Sequence, residues 1–162
     1  MTLHARLAAA AVLAFTGLGS ATAQVTCSPE TMSLVAGQHE YAGTVSIVNV
    51  GANLCVTYQT VADWMIRETH LSVESSLAAI PQTRSGNPRP GQFTYATTHN
   101  PPVSTFTYCV PRPAGTIYVA AHAALANGGR RETGWAGDQD FPGANWATYY
   151  TVSCDFGPPQ PD

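Results

Sequence analysis

The sequence predicts an all-β fold, an immunoglobulin-like β-sandwich of six to eight antiparallel strands with one short helical turn. Three observations lead there. Apolar side chains recur at every second position in short stretches, turn residues separate those stretches, and four cysteines are spread along the chain. Ala42 to Val50 sets Val45, Ile47 and Asn49 against Thr44, Ser46 and Val48. Gly51-Ala52-Asn53 then turns the chain, and Asn53 to Thr60 returns as the second arm of a hairpin. Trp64 to Val73, Val103 to Val110, Gly115 to Leu125, Arg131 to Trp135 and Asn145 to Cys154 complete the strand set. Helical spacing occurs once, at Val73, Leu77 and Ile80, and Pro81 stops it within two turns. Ser85 to Gly91 holds two prolines, which donate no ladder hydrogen bond, so it is not a central strand. Asn100-Pro101-Pro102 and Pro111-Arg112-Pro113 mark strand ends by the same reasoning.

Composition narrows the function. The chain has 162 residues, 44% of them hydrophobic, and only 10% are charged against about 25% in an ordinary soluble protein. Its basic charge rests entirely on seven arginines, because there is no lysine. A P-loop, Schiff-base chemistry and a lysine general base are therefore excluded. A net charge of −3 with no run of arginines also speaks against a nucleic-acid partner.

Residues 1–23 read as a secretory signal. His4 and Arg6 precede the apolar stretch Leu7 to Leu18, and Gly19-Ser20 leads into an A-x-A cleavage pattern at Ala21-Thr22-Ala23. A membrane anchor needs about 20 apolar residues, and this stretch is shorter. Cleavage after Ala23 removes Arg6, leaving six arginines against ten acids and a mature charge of 6 − 10 = −4. The expected product is exported, periplasmic or extracellular, with a single β-sandwich domain over 24–156. Its tail, 157–162, is rich in proline and reads as disordered.

An even cysteine count in an exported chain favours disulfides. Cys55 falls on the phase of Thr57 and Gln59, and Cys109 on the phase of Thr105 and Thr107, both polar. Two outward cysteines on neighbouring strands pair as Cys55–Cys109, which leaves Cys27–Cys154 to join the ends. No C-x-x-C spacing supports a four-cysteine zinc site.

Several words occur in order: Glu68-Thr69-His70, Gly86-Asn87-Pro88 with Gly91-Gln92-Phe93, Thr98-His99-Asn100-Pro101-Pro102 and Ala120-Ala121-His122-Ala123. Glu132-Thr133-Gly134-Trp135 and Phe141-Pro142-Gly143 with Asn145-Trp146-Ala147-Thr148-Tyr149 follow. Together, from Tyr41 to Val152, they resemble an uncharacterised family of exported bacterial β-rich domains. The resemblance implies an exported location and a β-rich fold, and no activity.

Few residues offer chemistry. Imidazole and carboxylate are the zinc or copper ligands available outside the cell. Glu68 and His70 leave a strand by one face, and His122 is flanked on its own phase by Ala120 and Ala124, which leave room beside the ring. His99 is expected in a proline-rich loop folded over a strand end. His70, His99 and His122 form a candidate metal set, with Glu68, Glu132 or Asp138 as carboxylate. Asp138-Gln139-Asp140 lacks the further acids of an EF-hand and reads as a solvated turn. No G-x-S-x-G elbow occurs. Glu68 with Glu132 is the carboxylate pair a glycosidase would use. Among the tryptophans, Trp64 and Trp146 read as core, whereas Trp135, beside glycines and Asp138, reads as an exposed anchor. These residues define a candidate ligand-binding face: Glu68, His70, His99, His122, Glu132, Trp135 and Asp138. The function that follows is a non-enzymatic binding or structural module without cofactor, its partner a carbohydrate or a protein surface. A small zinc or copper protein, or a metal-dependent hydrolase, is the alternative.

Overall fold

A computed structural model describes residues 25–156; the expected signal peptide and C-terminal tail lie outside them. The described residues form twelve strands and two single-turn 3-10 helices. The strands are β1 (Val25–Cys27), β2 (Glu30–Ala36), β3 (Glu40–Val50), β4 (Asn53–Thr60), β5 (Trp64–Glu74) and β6 (Tyr95–Val103). They continue as β7 (Thr105–Pro111), β8 (Ile117–Asn127), β9 (Arg130–Ala136), β10 (Gln139–Asp140), β11 (Thr148–Val152) and β12 (Cys154–Phe156). The helical turns are Leu77–Ala79 and Pro90–Gln92. None of the described helices is long and apolar enough to cross a membrane.

The fold is all-β and antiparallel. Its hydrogen bonding differs from that of two separately packed layers. One ladder runs without a break through β6, β5, β8, β9, β2, β3, β4 and β7. The sheet curls until it is nearly a barrel. β11 continues the β9 edge along β8, β10 pairs with β11, and β1 pairs with β12 as a separate ribbon.

Alternation builds the interior. Val45 and Ile47 of β3, Leu54, Val56 and Tyr58 of β4, Ile66 and Leu71 of β5, and Val119 and Leu125 of β8 are buried to about 1% exposure or less. They face one another across the curl. On β3, Val48 takes the opposite phase and is 44% exposed. Gly43 sits where β3 presses on β4: a Cβ there would lie 2.0 Å from the Gln59 carbonyl oxygen, at φ +151°.

Disulfides join Cys27 to Cys154 and Cys55 to Cys109. In both cases the ladder register places the two residues directly opposite. The bridges close loops with sequence separations of 127 and 54. Loop-closure entropy makes these worth about 5 and about 4 kcal/mol.

Two expectations from proline change. Asn100-Pro101-Pro102 does not end a strand but lies inside β6, with a cis bond between Asn100 and Pro101. β6 pairs only with β5, and its register jumps from Thr98 to Val103, so neither proline is asked for a ladder bond. His99 is consequently a strand residue and not a loop residue.

β6 and β7 are the two ends of the curled sheet, joined through Ser104, whose carbonyl accepts from the Thr60 backbone N–H at 2.8 Å and from its hydroxyl at 3.2 Å. Rings fill the seam between them. His99 and Phe106 centroids are 4.6 Å apart, Phe106 and Tyr108 4.8 Å, and Tyr95 and Tyr108 6.0 Å.

Candidate functional site

The outer faces of β8, β9 and β11 carry a second apolar cluster made of Ile80, Phe93, Ala120, Trp135, Phe141, Ala147 and Tyr149. Two irregular segments cover this face, one around the helical turns at Leu77–Ala79 and Pro90–Gln92, the other over 141–147. They grip each other. The Gly143 backbone N–H donates to the Gly86 carbonyl at 3.2 Å, and the Asn145 N–H donates to Asn87 Oδ1 at 3.1 Å. A Cβ at Gly86 would stand 2.8 Å from Pro142, at φ +86°, so the contact requires glycine there. Asn145 Oδ1 in turn accepts from the Ala147 N–H at 3.4 Å. Trp146 is held between these two bonds.

This cover reverses the expected roles of two tryptophans. Trp135 is not an exposed anchor: it is 5% exposed, opposite His122 in the ladder, with ring centroids 4.8 Å from His122, 6.3 Å from Phe93 and 6.2 Å from Phe141. The room predicted beside His122 is the room this indole fills. Trp146 is not in the strand core; it is half-buried on the 141–147 segment, where it packs against the outer cluster and forms a wall of two adjacent hollows. Trp64 is core, 3% exposed, with the Arg130 guanidinium 5.3 Å from its ring centre.

The larger hollow, about 500 Å³, is bounded by Gln38, Arg67, Arg131, Glu132, Thr133 and Trp146 among others. The smaller, about 280 Å³, has Gln38, His39, Trp135, Asp140, Trp146 and Thr148 on its walls. Gln38 and Trp146 belong to both. Glu132 Oε1 is 3.8 Å from the Arg130 guanidinium, which also binds Glu40 at 2.6 Å. Arg130 holds the Glu40 carboxyl below its ordinary range.

The predicted face is assembled only in part. Glu68, His70, His122 and Trp135 adjoin on the outer face. The His70 Nε2 to Glu68 Oε2 distance is 3.3 Å, and the His70 and His122 ring centres are 5.2 Å apart. Nδ1 of each histidine is closed off from solvent and has no hydrogen-bond partner. Burial, with His70 adding to it, holds the His122 pKa down at about 3. The imidazole is therefore neutral at neutral pH.

His99 lies on the other side of β5. Its Nε2 is 3.1 Å from the hydroxyl of Thr69, a fully buried residue on the inward phase between Glu68 and His70. Burial lowers its pKa too. The three histidines thus do not converge, and no group of three or more metal-ligating side chains is found among the described residues. Glu132 belongs to the neighbouring hollow, so it is not paired with Glu68, whose partner is His70. Asp138 is exposed beyond the end of β9, its N–H bonded to the Tyr149 carbonyl at 3.2 Å; Asp140 reaches the small hollow instead.

The sequence reading missed Gln38, Arg67, Arg131 and Trp146. For Arg67 a signal exists only in the fold: β5 carries one more residue than β8 between Ile66 and Glu68, so Arg67 is the bulged residue. For Trp146, the Asn-Trp word within a Gly/Pro-rich stretch marked a loop tip. No family model, curated protein or solved structure matches the chain.

Proposed function

We propose that this chain is an exported, disulfide-bonded β module that binds a carbohydrate or protein surface ligand non-enzymatically, at the cell envelope or outside the cell. The observation that carries the reading is Trp146. It is a half-buried indole at the junction of two polar hollows, fixed by backbone bonds from the segment that bears it. A rigid flat ring with polar neighbours suits stacking on a ligand at small conformational cost. Two disulfides support an oxidising compartment.

The test compares Trp146→Ala with the parent mature chain on immobilised glycans and envelope proteins. Loss of a stacking anchor lowers retention at least about tenfold, which is about 1.4 kcal/mol, measured well below the melting temperature of the variant because Trp146 also packs against the outer cluster. Unchanged retention on every ligand that the parent binds refutes the assignment.

A further inference from the structure

We infer that the larger hollow beside Trp146 selects an anionic saccharide, a sugar chain bearing carboxylate or sulfate groups. The inference rests on the binding reading above and names its ligand class. Its observation is the charge on the hollow wall. Among the described residues the ion pairs are Arg130–Glu40 and Arg130–Glu132, and Glu68 is the hydrogen-bond partner of His70. Arg67 and Arg131 enter none of them, yet both border the hollow. Its one carboxylate, Glu132, already faces Arg130. The result is a positive pocket on a protein whose net charge is −3.

The strand geometry adds to this. Arg67 is the bulged residue of β5, and bulges re-aim side chains beside sites. Arg131 lies on β9, opposite Ala126 of β8, whose small side chain leaves the guanidinium stem free to extend. A guanidinium presents a planar fork that matches carboxylate and sulfate oxygens two at a time. Gln38 and Thr133 add neutral hydrogen-bonding groups, and Trp146 supplies the flat surface on which a sugar ring lies. The smaller hollow on the far side of Trp146 holds Asp140, His39 and Thr148. It suits hydroxyls of the next residue, so a chain ligand crosses the indole with its anionic group at the arginine end.

The experiment measures binding of the mature chain to polygalacturonate, its fully methyl-esterified form, dextran sulfate, neutral dextran and polyglutamate. Binding of polygalacturonate or dextran sulfate at least tenfold tighter than of the two neutral polymers is expected. The Arg67→Gln/Arg131→Gln double variant should lose that preference tenfold or more, whereas Arg84→Gln, outside this hollow, should keep it. Preference for polygalacturonate assigns the anion as carboxylate, preference for dextran sulfate as sulfate, and either supports the inference. Equal binding of acid and esterified polymers, polyglutamate binding as tightly as polygalacturonate, or equal loss in Arg84→Gln overturns it. If Trp146→Ala abolishes binding of neutral glycans while the double arginine variant changes nothing, the charge assignment fails and the binding site stands. If Trp146→Ala leaves all binding intact, the site itself fails.

Discussion

Acid should destabilise this protein through one histidine before most carboxylates titrate. His122 sits among His70, Ala120 and Trp135, and its Nδ1 has neither a partner nor solvent. A proton placed on Nδ1 has no acceptor within the fold. The folded pKa is about 3, against about 6.5 in an unfolded chain. The unfolded state therefore takes up the proton first, and falling pH draws the equilibrium toward it. His122 costs nothing above about pH 6.5; between there and about pH 3 the loss accumulates to about 5 kcal/mol, at about 1.4 kcal/mol per pH unit. From pH 6.5 to pH 4.5 the loss is about 2 kcal/mol, which corresponds to roughly 6–8 °C of melting temperature for a domain of this size. The assay is urea unfolding of the parent and of His122→Gln at half-unit steps from pH 7.5 to 3.5. Subtracting the two curves removes the carboxylates common to both. The parent should lose stability faster than the variant across that window, and the His122 ring resonances should not move near pH 6. Parallel curves, or an imidazole titrating near its ordinary value, would refute the account.

Two further outcomes follow from the seam and the bridges. Tyr108 Oη lies 2.8 Å from Thr69 Oγ1, 2.9 Å from Thr97 Oγ1 and 3.2 Å from the Thr69 carbonyl. Tyr108→Phe should cost about 1–3 kcal/mol in urea unfolding because it deprives a buried hydroxyl of a partner; adding Thr69→Val should recover part of the loss, and no recovery would show that the hydroxyls are not coupled. Replacing Cys55 and Cys109 together by serine should cost about 4 kcal/mol by loop-closure entropy, and a loss under 1 kcal/mol would show that the β4–β7 ladder holds the loop without the bridge.

Legibility in the sequence divides along the two faces of the sheet. Where one face meets the interior and the other meets water, alternation is clear. The β3–β4 hairpin and the outward phase of Cys55 and Cys109 were readable for that reason. β2 alternates in burial, with Leu34 and Ala36 inside and Thr31 and Ser33 exposed, but the half-buried apolar Val35, opposite Trp135, interrupts the alternation of side-chain type at its end. The prolines of β6 misled for a related reason: proline forbids a central strand, and β6 is an end strand with a register jump.

The tryptophans show where local reading stops. Trp135 stands beside Gly134 and Gly137, and small neighbours suggest exposure when only the strand is considered. What buries it comes from elsewhere in the chain, from Phe93 and Phe141 on two irregular segments. Those segments meet through Gly86, Asn87, Gly143 and Asn145, the same residues that lift Trp146 to the rim of the hollows. Burial of one indole and display of the other are therefore a single event. A change that loosens the contact between the two segments, such as Asn87→Ala, acts on both: it should raise Trp135 fluorescence quenching by solvent and weaken ligand retention at Trp146 together. An effect on only one of them would show that the cover and the site are built independently.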